Sequence, residues 1–455
     1  MRRVLMIAYT FPPLAGVGIE RTLKHVTYLP DNGWQPVVVA PANSAYRLID
    51  QRTLDHVPAG TEVHRAVTVE PAHLRHAARR LVRGPAVARA SVGGSPLPPA
   101  SGLRGILNAA WRSYVELAFF PDEQILWAPA AIAAALAAHG ADPVDGIYSS
   151  SPPVTGHLVA AAAARLTGRP WVADFRDPWI GNAYAHALPA PHRALRASVE
   201  HLLVRGATRS VFASAGVRDE YAARYPRLAH RFVVIHNGYD LDEIGLALAS
   251  DTPARRDDRF RLIFTGSVQG TDEFELFADG MDLLLARDPA LRDGLVVQFV
   301  GWFSPQVEAI ARRRLPALGP AVERLGFQSK AATLGLLRVA DAALVLLAAG
   351  PGREHVPSAK LFDYLGLSKP VLAVAPRGEV RRILGELGWG MGADPTPEGF
   401  ADGVARLLAA PRPDREADPE RRYERRTLSR RLAEVLDEVA LRSSAPVDRR
   451  SVSRV

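Results

Sequence analysis

The chain reads Ala249-Ser-Asp-Thr-Pro-Ala-Arg-Arg-Asp-Asp-Arg259-Phe-Arg-Leu-Ile-Phe-Thr265 just past its midpoint. The first eleven of these residues are polar and rich in charge, which is typical of a linker between folded units. An apolar run of strand character, 260–265, follows at once, so a second folded unit begins there. The junction therefore predicts two domains, and 455 residues are enough for two cores.

Strand and helix patterns alternate on both sides of this junction. Apolar strands are predicted at 3–8, 36–40, 146–149, 171–175, 209–213 and 232–235, and again at 260–265, 295–300, 342–347 and 370–374. Helical patterns separate them, as at 18–29 and 154–167. Continuous apolar strands with helical crossovers predict parallel sheets covered on both faces. The predicted fold class is α/β, with two Rossmann-like doubly wound domains that face each other across a cleft.

The predicted boundaries follow from these patterns. The first domain is predicted over 1–240, the linker over 241–258 and the second domain over 259–410. The segment 411–443 contains a charged helix, about 416–441, which we expect to return to the first domain. The Ser- and Arg-rich tail over 444–455 is predicted to be disordered.

Composition excludes several classes of protein. The chain has no cysteine, so disulfides and thiolate metal sites are excluded. No apolar stretch reaches the roughly 18 residues of a membrane-spanning helix. The apolar run near Met1 is too short for a signal peptide and is interpreted as a first strand. These features predict a cytoplasmic protein.

A basic segment interrupts the first domain at about 64–121. Residues 64–115 carry eight arginines and a single acid, Glu70, within a net charge of +8. Apolar residues at 103–117 recur with helical spacing. The segment is either an insertion packed on its own domain or a basic amphipathic element that lies on an anionic membrane or holds a lipid-linked acceptor. No nucleic-acid partner is expected, because an Arg-rich composition alone is weak evidence for one.

A glycine-bearing loop follows the first strand and reads Tyr9-Thr-Phe-Pro-Pro-Leu-Ala-Gly16-Val-Gly18-Ile-Glu-Arg21. Backbone N–H groups in such a loop can approach a phosphate or a sugar hydroxyl. The loop is not a dinucleotide fingerprint, because Arg21 stands where the third glycine would be and the second strand ends without an acid.

A stretch in the second half has the chemistry of a diphosphate site. It reads Val356-Pro-Ser-Ala-Lys360-Leu-Phe-Asp363 and opens a predicted helix. Ser358 is a suitable N-cap, and the helix start would direct N–H groups at a diphosphate. Lys360 adds a cation for the charge on a leaving nucleotide, and Asp363 can accept hydrogen bonds from ribose hydroxyls. The alternative is a helix whose charged residues simply face solvent.

Polar residues also follow the strand Trp171-Val-Ala-Asp174-Phe and continue as Arg176-Asp177. Carboxylates that bracket an arginine can orient acceptor hydroxyls or act as a base, and Asp174 is the predicted catalytic residue of this group. The alternative is that an aspartate caps a helix and the arginine is its structural partner. Asp122, in the preceding loop, is a further candidate on the acceptor side.

Metal binding is not predicted. Asp240-Leu-Asp242 has the spacing of a carboxylate metal motif, but it lies beside the linker, so a turn with a helix cap is expected. The histidines show no zinc-binding spacing.

Several of these pieces together resemble a known family. Asn237-Gly238-Tyr-Asp240, the loop from Phe11 to Arg21, and 356–374 occur in the order found in the family 4 glycosyltransferases, which have the GT-B fold. The resemblance spans roughly residues 3–410. Two departures stand out: His355 and Asp363 replace a pair of glutamates, and no basic pair follows the strand 260–265.

The resemblance implies a glycosyltransferase that moves a sugar from a UDP-, GDP- or dTDP-sugar, with retained configuration and without a metal or other cofactor. The acceptor is a polysaccharide, a lipid-linked glycan or a natural product. The implied catalytic residues are Asp174 and Lys360. The donor-binding residues are Gly16, Gly266, Ser267, Gly326, Phe327, Ser358, Lys360, Leu361 and Asp363. The acceptor-binding residues are Gly18, Arg21, Asp122, Arg176 and Asp177.

Two alternatives remain open. One is a GT-B-fold epimerase that acts on the nucleotide-sugar itself. The other is a protein without enzymatic activity that binds a polyanion or a membrane through the basic segment.

Overall fold

The computed structural model describes residues 1–45, 49–73, 118–182, 190–249, 257–356, 358–411 and 413–444. Most of the basic segment and nearly all of the predicted disordered tail lie outside these ranges. Among the described residues the chain forms two parallel sheets, one on each side of the predicted junction. No helix in the same ranges is long and apolar enough to cross a membrane.

The first domain is built on seven parallel strands. They are β1 (Arg2–Ile7), β2 (Trp34–Pro41), β3 (Glu62–Ala66), β4 (Gly146–Ser151), β5 (Trp171–Phe175), β6 (Arg209–Phe212) and β7 (Phe232–Val234). Their order in the sheet is β3-β2-β1-β4-β5-β6-β7. The described helices of this domain are α1 (Val17–Tyr28), α2 (Ala128–Ala141), α3 (Thr155–Thr167), α4 (Ala190–Gly206) and α5 (Ala215–Arg224).

The second domain repeats this plan on six parallel strands. They are β8 (Phe260–Thr265), β9 (Leu295–Val300), β10 (Val322–Gly326), β11 (Ala342–Leu346), β12 (Val371–Val374) and β13 (Met391–Ala393), in the order β10-β9-β8-β11-β12-β13. The helices numbered onward from the junction are α6 (Leu241–Ala249), α7 (Thr271–Arg287), α8 (Leu291–Gly294), α9 (Pro305–Leu318), α10 (Lys330–Val339), α11 (Ala359–Gly366), α12 (Glu379–Leu387), α13 (Pro397–Ala409) and α14 (Arg425–Ser444).

The central strands explain why the α/β prediction is confirmed. Every residue of β9, β11 and β12 is buried, as are Val4–Ile7 of β1. A strand in the middle of a parallel sheet is covered by helices on both faces, so its apolar residues are continuous rather than alternating. The two sheets with their helices are the two Rossmann-like doubly wound domains expected from the sequence.

The predicted linker over 241–258 begins with an ordered helix. Ile244 and Ala247 of α6 are buried against Leu334 and Leu337 of α10, which places α6 on the second domain. The Asp240 carboxylate accepts the backbone N–H groups of residues 242 and 243, at 2.9 and 3.1 Å. The carboxylate therefore caps α6, as expected for this Asp-x-Asp triplet.

Helix α14 lies on the first domain. Leu428, Leu432 and Leu436 are fully buried in a cluster with strand β1 and Trp34. The helix begins at Arg425, about nine residues later than predicted, because the preceding chain forms a turn. The Asp418 carboxylate accepts the N–H groups of residues 422 and 423 there, and Pro419 has no N–H to donate.

Both sheets have a switch point in their strand order. The switch lies between β1 and β4 in the first domain and between β8 and β11 in the second. Loops that leave the strands on either side of a switch diverge, which creates a crevice at the carboxyl ends of the strands. In the second domain these loops are 266–270 and 347–358, and the latter leads into α11.

Candidate functional site

The turn after β8 is shaped by two glycines. Gly266 has a φ of 101°, and its N–H donates to the carbonyl of Val300 at 2.7 Å. Gly301, with a φ of 140°, packs so closely on Gly266 that a side chain at 301 would overlap the Gly266 carbonyl. The N–H of Gly266 is thus used within the fold. Ser267 was predicted together with Gly266 to bind the donor. Its N–H makes no hydrogen bond among the described residues.

Lys360 lies above this turn. A Cβ added at Gly266 would meet Lys360 Cε at 3.5 Å and Nζ at 3.7 Å, and Nζ sits 3.5 Å from the ring centre of Phe264. Burial lowers the pKa of Lys360 to about 7, although the Glu273 carboxylate acts in the opposite direction. In the part of the chain that the structure describes, this ammonium group has no hydrogen bond or ion pair.

The other lysines are engaged. Lys24 pairs with Asp240 and Glu243, at 2.8 and 2.5 Å, and Lys369 donates to backbone carbonyls. Lys330 holds both carboxylate oxygens of Asp363, each at 2.6 Å. The predicted ribose acceptor, Asp363, is therefore already paired, and a ribose hydroxyl would have to share it with Lys330 or displace Lys330.

The remaining donor-side residues are placed as follows. Ser358 occupies the N-cap position of α11, but its side chain makes no capping hydrogen bond, in contrast to the expected cap. Leu361 is fully buried in the core, so only its backbone can face a ligand, and its N–H donates to the Ser358 carbonyl. Gly326 ends β10 with a φ of 67°, and the next residue, Phe327, is 78% exposed. An exposed aromatic ring at a strand end can stack on a flat ligand group.

On the first domain, Arg176 holds the glycine loop. Its Nη1 donates to the carbonyl of Gly18 at 2.5 Å, and its Nε lies 3.5 Å from the Asp177 carboxylate. Gly16 has a φ of 103° and is the N-cap residue of α1. The loop geometry therefore depends on a side chain from the segment after β5.

Arg21 and Asp174 form a fully buried ion pair. Arg21 Nε and Nη2 donate to the two Asp174 oxygens at 2.6 and 2.9 Å, and Tyr148 donates to the same carboxylate. Arg21 also donates to the carbonyl of His236 at 2.9 Å. The guanidinium holds the pKa of Asp174 below its usual range despite burial. With no exposed surface, Asp174 cannot reach an acceptor in this conformation, which argues against the predicted catalytic role. Its partner is Arg21 of α1 rather than the neighbouring Arg176 of the structural alternative.

Asp122 is similarly engaged. Its carboxylate accepts the N–H of Thr155 at 2.9 Å and the Thr155 hydroxyl at 2.6 Å, at the start of α3. Burial raises the pKa of Asp122. The Asp122 carboxylate therefore fixes the start of α3. It could contact an acceptor only if its hydrogen bonds to Thr155 were broken.

An interdomain cluster was missed by the sequence analysis. Glu379, at the start of α12, accepts the N–H groups of Ala215 and Gly216 at the start of α5, at 3.2 and 3.3 Å. The same carboxylate lies 3.0 Å from His236 Nε2 and 2.7 Å from Arg382. No motif marks these residues, and only the juxtaposition of the two domains brings them together.

Comparison with known proteins supports the fold. No family model matches the sequence, and no curated protein matches it either. A glycosyltransferase from Rickettsia africae ESF-5 superposes with a TM-score of 0.60 at 13% identity, covering 96% of this chain and 98% of that one. Anabaena HepE in complex with UDP gives 0.54 at 14%, covering 97% and 98%. UDP-GlcNAc 2-epimerase from Methanocaldococcus jannaschii gives 0.51 at 10%, covering 96% and 100%.

These similarities extend over nearly the whole chain and include both sheets. At such low identity they establish the architecture. Together with the strand orders and the returning helix α14, they show that this chain has the GT-B fold.

Proposed function

We propose that this chain is a glycosyltransferase that binds a nucleotide-sugar in the cleft and transfers its sugar to an acceptor hydroxyl. The single observation that carries the proposal is the unpaired ammonium of Lys360 above the Gly266 turn. Lys360 is half-buried and has no ion pair among the described residues. Holding a partly desolvated cation without a counter-ion is costly, and a diphosphate would supply the missing charge.

The surroundings of Lys360 support a diphosphate ligand. Lys360 lies in the first turn of α11, where free N–H groups and the helix dipole favour an anion. The cation is part of the second domain at its switch point, where ligands bind in doubly wound sheets. Anabaena HepE, which has the same fold, binds UDP in its solved structure, and we extend this class of ligand to the present chain.

The proposed reaction is nucleophilic substitution at the anomeric carbon. The acceptor oxygen forms a bond to that carbon while the bond to the diphosphate oxygen breaks, and the bonding electrons leave with the nucleoside diphosphate. The hydroxyl proton passes to the departing phosphate oxygen. Lys360 stabilises the charge that develops on this leaving group. We propose retained configuration and no metal requirement, as the sequence resemblance implies.

The proposal revises the acceptor side of the cleft. Asp174 and Arg21 are positioning residues, because their buried pair fixes α1 against β5 and against the carbonyl of His236, just after β7. Arg176 holds the Gly18 carbonyl and so shapes the loop that would face the acceptor. The acceptor class and contact of the basic segment with an anionic membrane stay predictions, and most of that segment lies outside the described residues.

Calorimetry with UDP-, GDP-, dTDP- and ADP-sugars tests the proposal. We expect wild type to bind one nucleotide class and Lys360→Met to bind it about tenfold to a hundredfold more weakly, as expected for a lost bond to a charged group. Arg313→Met is the matched control, because it removes one exposed positive charge on α9 of the same domain. Folded wild-type protein that binds none of the nucleotide-sugars would overturn the proposal.

An epimerase is the second candidate, because a UDP-GlcNAc 2-epimerase shares the fold. The two activities differ in their need for an acceptor. An epimerase converts the nucleotide-sugar into its epimer in the absence of any acceptor, which NMR of the sugar ring protons detects. A transferase leaves the donor unchanged apart from slow hydrolysis to free sugar and nucleoside diphosphate.

A further inference from the structure

Arg353 lies in the loop that leads from β11 into α11, and the proposed reaction does not use it. Its Nη1 lies 2.7 Å from the Asp272 carboxylate and 3.4 Å from the Glu273 carboxylate, both in the first turn of α7. The Arg353 side chain folds back over Gly350, where an added Cβ would meet its Cδ and Nε at 3.3 Å. One side chain therefore joins the loop before α11 to the start of α7.

The contact between Arg353 and Glu273 is largely shielded from water. The two side chains are 16% and 10% exposed. The second carboxylate oxygen of Glu273 accepts the N–H of Gly270 at 3.2 Å, so the same carboxylate holds the last residue of the loop 266–270. Burial raises the pKa of Glu273, and the Arg353 guanidinium acts against this effect. Removal of the arginine would leave a shielded carboxylate without its charged partner.

The loop 266–270 is also contacted at its other end, by Lys360. A Cβ added at Gly266 would meet Lys360 Cε at 3.5 Å and Nζ at 3.7 Å. Lys360 and Arg353 belong to the same stretch of chain, between β11 and the first turn of α11. This stretch therefore holds both ends of the loop. The N–H of Ser267 lies between the two contacts and makes no hydrogen bond in the part of the chain that the structure describes.

The proposed donor site depends on the position of the Ser267 N–H relative to the Lys360 ammonium group. A shift of about 1 Å between two binding groups is enough to weaken a ligand that contacts both. Arg353 is already paired with two carboxylates, so its effect on a diphosphate is transmitted through the loop. We propose that Arg353 is a positioning residue that fixes this loop against the segment carrying Lys360, so that both groups bind the same diphosphate. This inference rests on the proposed function and adds one residue to its donor side.

A double-mutant cycle tests whether Arg353 acts through Lys360. Calorimetry measures the affinity of each protein for UDP-, GDP-, dTDP- and ADP-glucose. The proteins are wild type, Arg353→Met, Lys360→Met and the variant that combines both substitutions. Asp272→Asn is a fifth protein, which removes the shorter contact from the other side and leaves Arg353 in place.

Two control variants lie on the same helix, α7. Arg287→Met breaks an ion pair of similar length, 2.6 Å to Asp402, at the far end of the helix. Glu275→Gln removes a negative charge near the start of the helix, as Asp272→Asn does. Glu275 is exposed and has no ion pair within the described ranges, so its variant measures the effect of charge alone.

We expect Arg353→Met to bind the nucleotide-sugar about tenfold more weakly than wild type. In the protein that already carries Lys360→Met, the same substitution should cost no more than about twofold, because the cation that Arg353 positions is then absent. Asp272→Asn should also weaken binding, and the two controls should bind no more weakly than wild type. Should Arg353→Met fail to fold, Asp272→Asn carries the same comparison, alone and combined with Lys360→Met.

Three results would overturn the positioning role alone. One is wild-type affinity in both Arg353→Met and Asp272→Asn. The second is an equal loss with and without Lys360, because Arg353 would then act on the ligand or the fold independently of that lysine. The third is tighter binding by Asp272→Asn than by Glu275→Gln, which would mean that a released Arg353 binds the diphosphate directly. Wild-type protein that binds no nucleotide-sugar, or binds it equally well without Lys360, would instead overturn the proposed donor site, and the positioning role with it.

Discussion

At the residue scale, Lys360 determines how the proposed donor site responds to pH. Its pKa of about 7, against 10.5 for a free lysine, means that the ammonium form is lost as pH rises through neutrality. A nucleotide-sugar has a diphosphate diester whose charge is constant over this range. We therefore expect affinity to be highest near pH 6 and to fall between pH 7 and 9, by up to about tenfold per pH unit.

Calorimetry at pH 6, 7, 8 and 9 measures this dependence, and binding near pH 8 should be accompanied by proton uptake. Lys360→Arg is the control, because a guanidinium stays charged throughout and should remove the pH dependence. A wild-type affinity that is constant from pH 6 to 9 would show that Lys360 does not carry the charge for the ligand.

The residues of the candidate site and their roles could be predicted only in part from the sequence. Lys360 was predicted because a lysine after a helix start suits a diphosphate, and the residue lies above the predicted Gly266 turn. Asp174 was assigned by its position after a strand, but position does not reveal burial, and Arg21 covers its carboxylate. Glu379 could not be found because its contacts with His236 and with the start of α5 arise only when the two domains pack together.

At the element scale, helix α14 is expected to stabilise the first domain. Leu432 is fully buried between this helix and the first sheet, so Leu432→Ala leaves a cavity. We expect a loss of about 2–5 kcal/mol in the free energy of unfolding of the first domain. Leu441→Ala is the control on the same helix, because Leu441 is exposed and should change stability little.

Urea unfolding followed by circular dichroism measures both variants. The first domain contributes its own transition if the domains unfold separately, so the shift of that transition is the quantity to compare. Equal stability of the Leu432 and Leu441 variants would mean that α14 is not integral to the first domain.

The central strands could be predicted from the sequence, whereas three edge strands could not. The central strands were predicted within one or two residues because they are continuous and apolar, as in Phe260–Thr265. The three missed strands, β3, β10 and β13, all lie at sheet edges. Strand β10 reads Val-Glu-Arg-Leu-Gly and is largely exposed, so its residues lack the apolar run of a covered strand. The pairing of edge strands is set by their neighbours rather than by their own composition.

At the scale of the whole molecule, Glu379 connects the two domains. Its carboxylate accepts backbone N–H groups at the start of α5, which belongs to the first domain. It also contacts His236 of that domain. Hydrogen bonds from His236 and Arg382 lower the pKa of Glu379 from 4.5 to about 2 in spite of its burial. A depressed carboxyl pKa contributes stability that is complete above pH 4.5 and is lost as pH falls through 2.

The interdomain contact should therefore be at full strength at neutral pH and weaken in acid. Glu379→Gln mimics the acid form at pH 7, because it keeps the shape of the side chain and removes its charge. We expect faster hydrogen exchange in the peptide that contains Ala215 and Gly216, whose N–H groups this carboxylate accepts. The shift of the Glu379 pKa corresponds to about 3 kcal/mol, of which the contacts across the domains are a part.

Glu386→Gln separates the interdomain effect from a general loss of charge on α12. Glu386 pairs with the same Arg382 but makes no ion pair or hydrogen bond with the first domain among the described residues. Its variant should leave exchange at residues 215 and 216 unchanged. If both variants speed exchange equally, Arg382 rather than Glu379 holds the domains together; if neither does, the start of α5 is stable without its partner. A selective effect of Glu379→Gln would mean that this one carboxylate holds the start of α5 against the second domain.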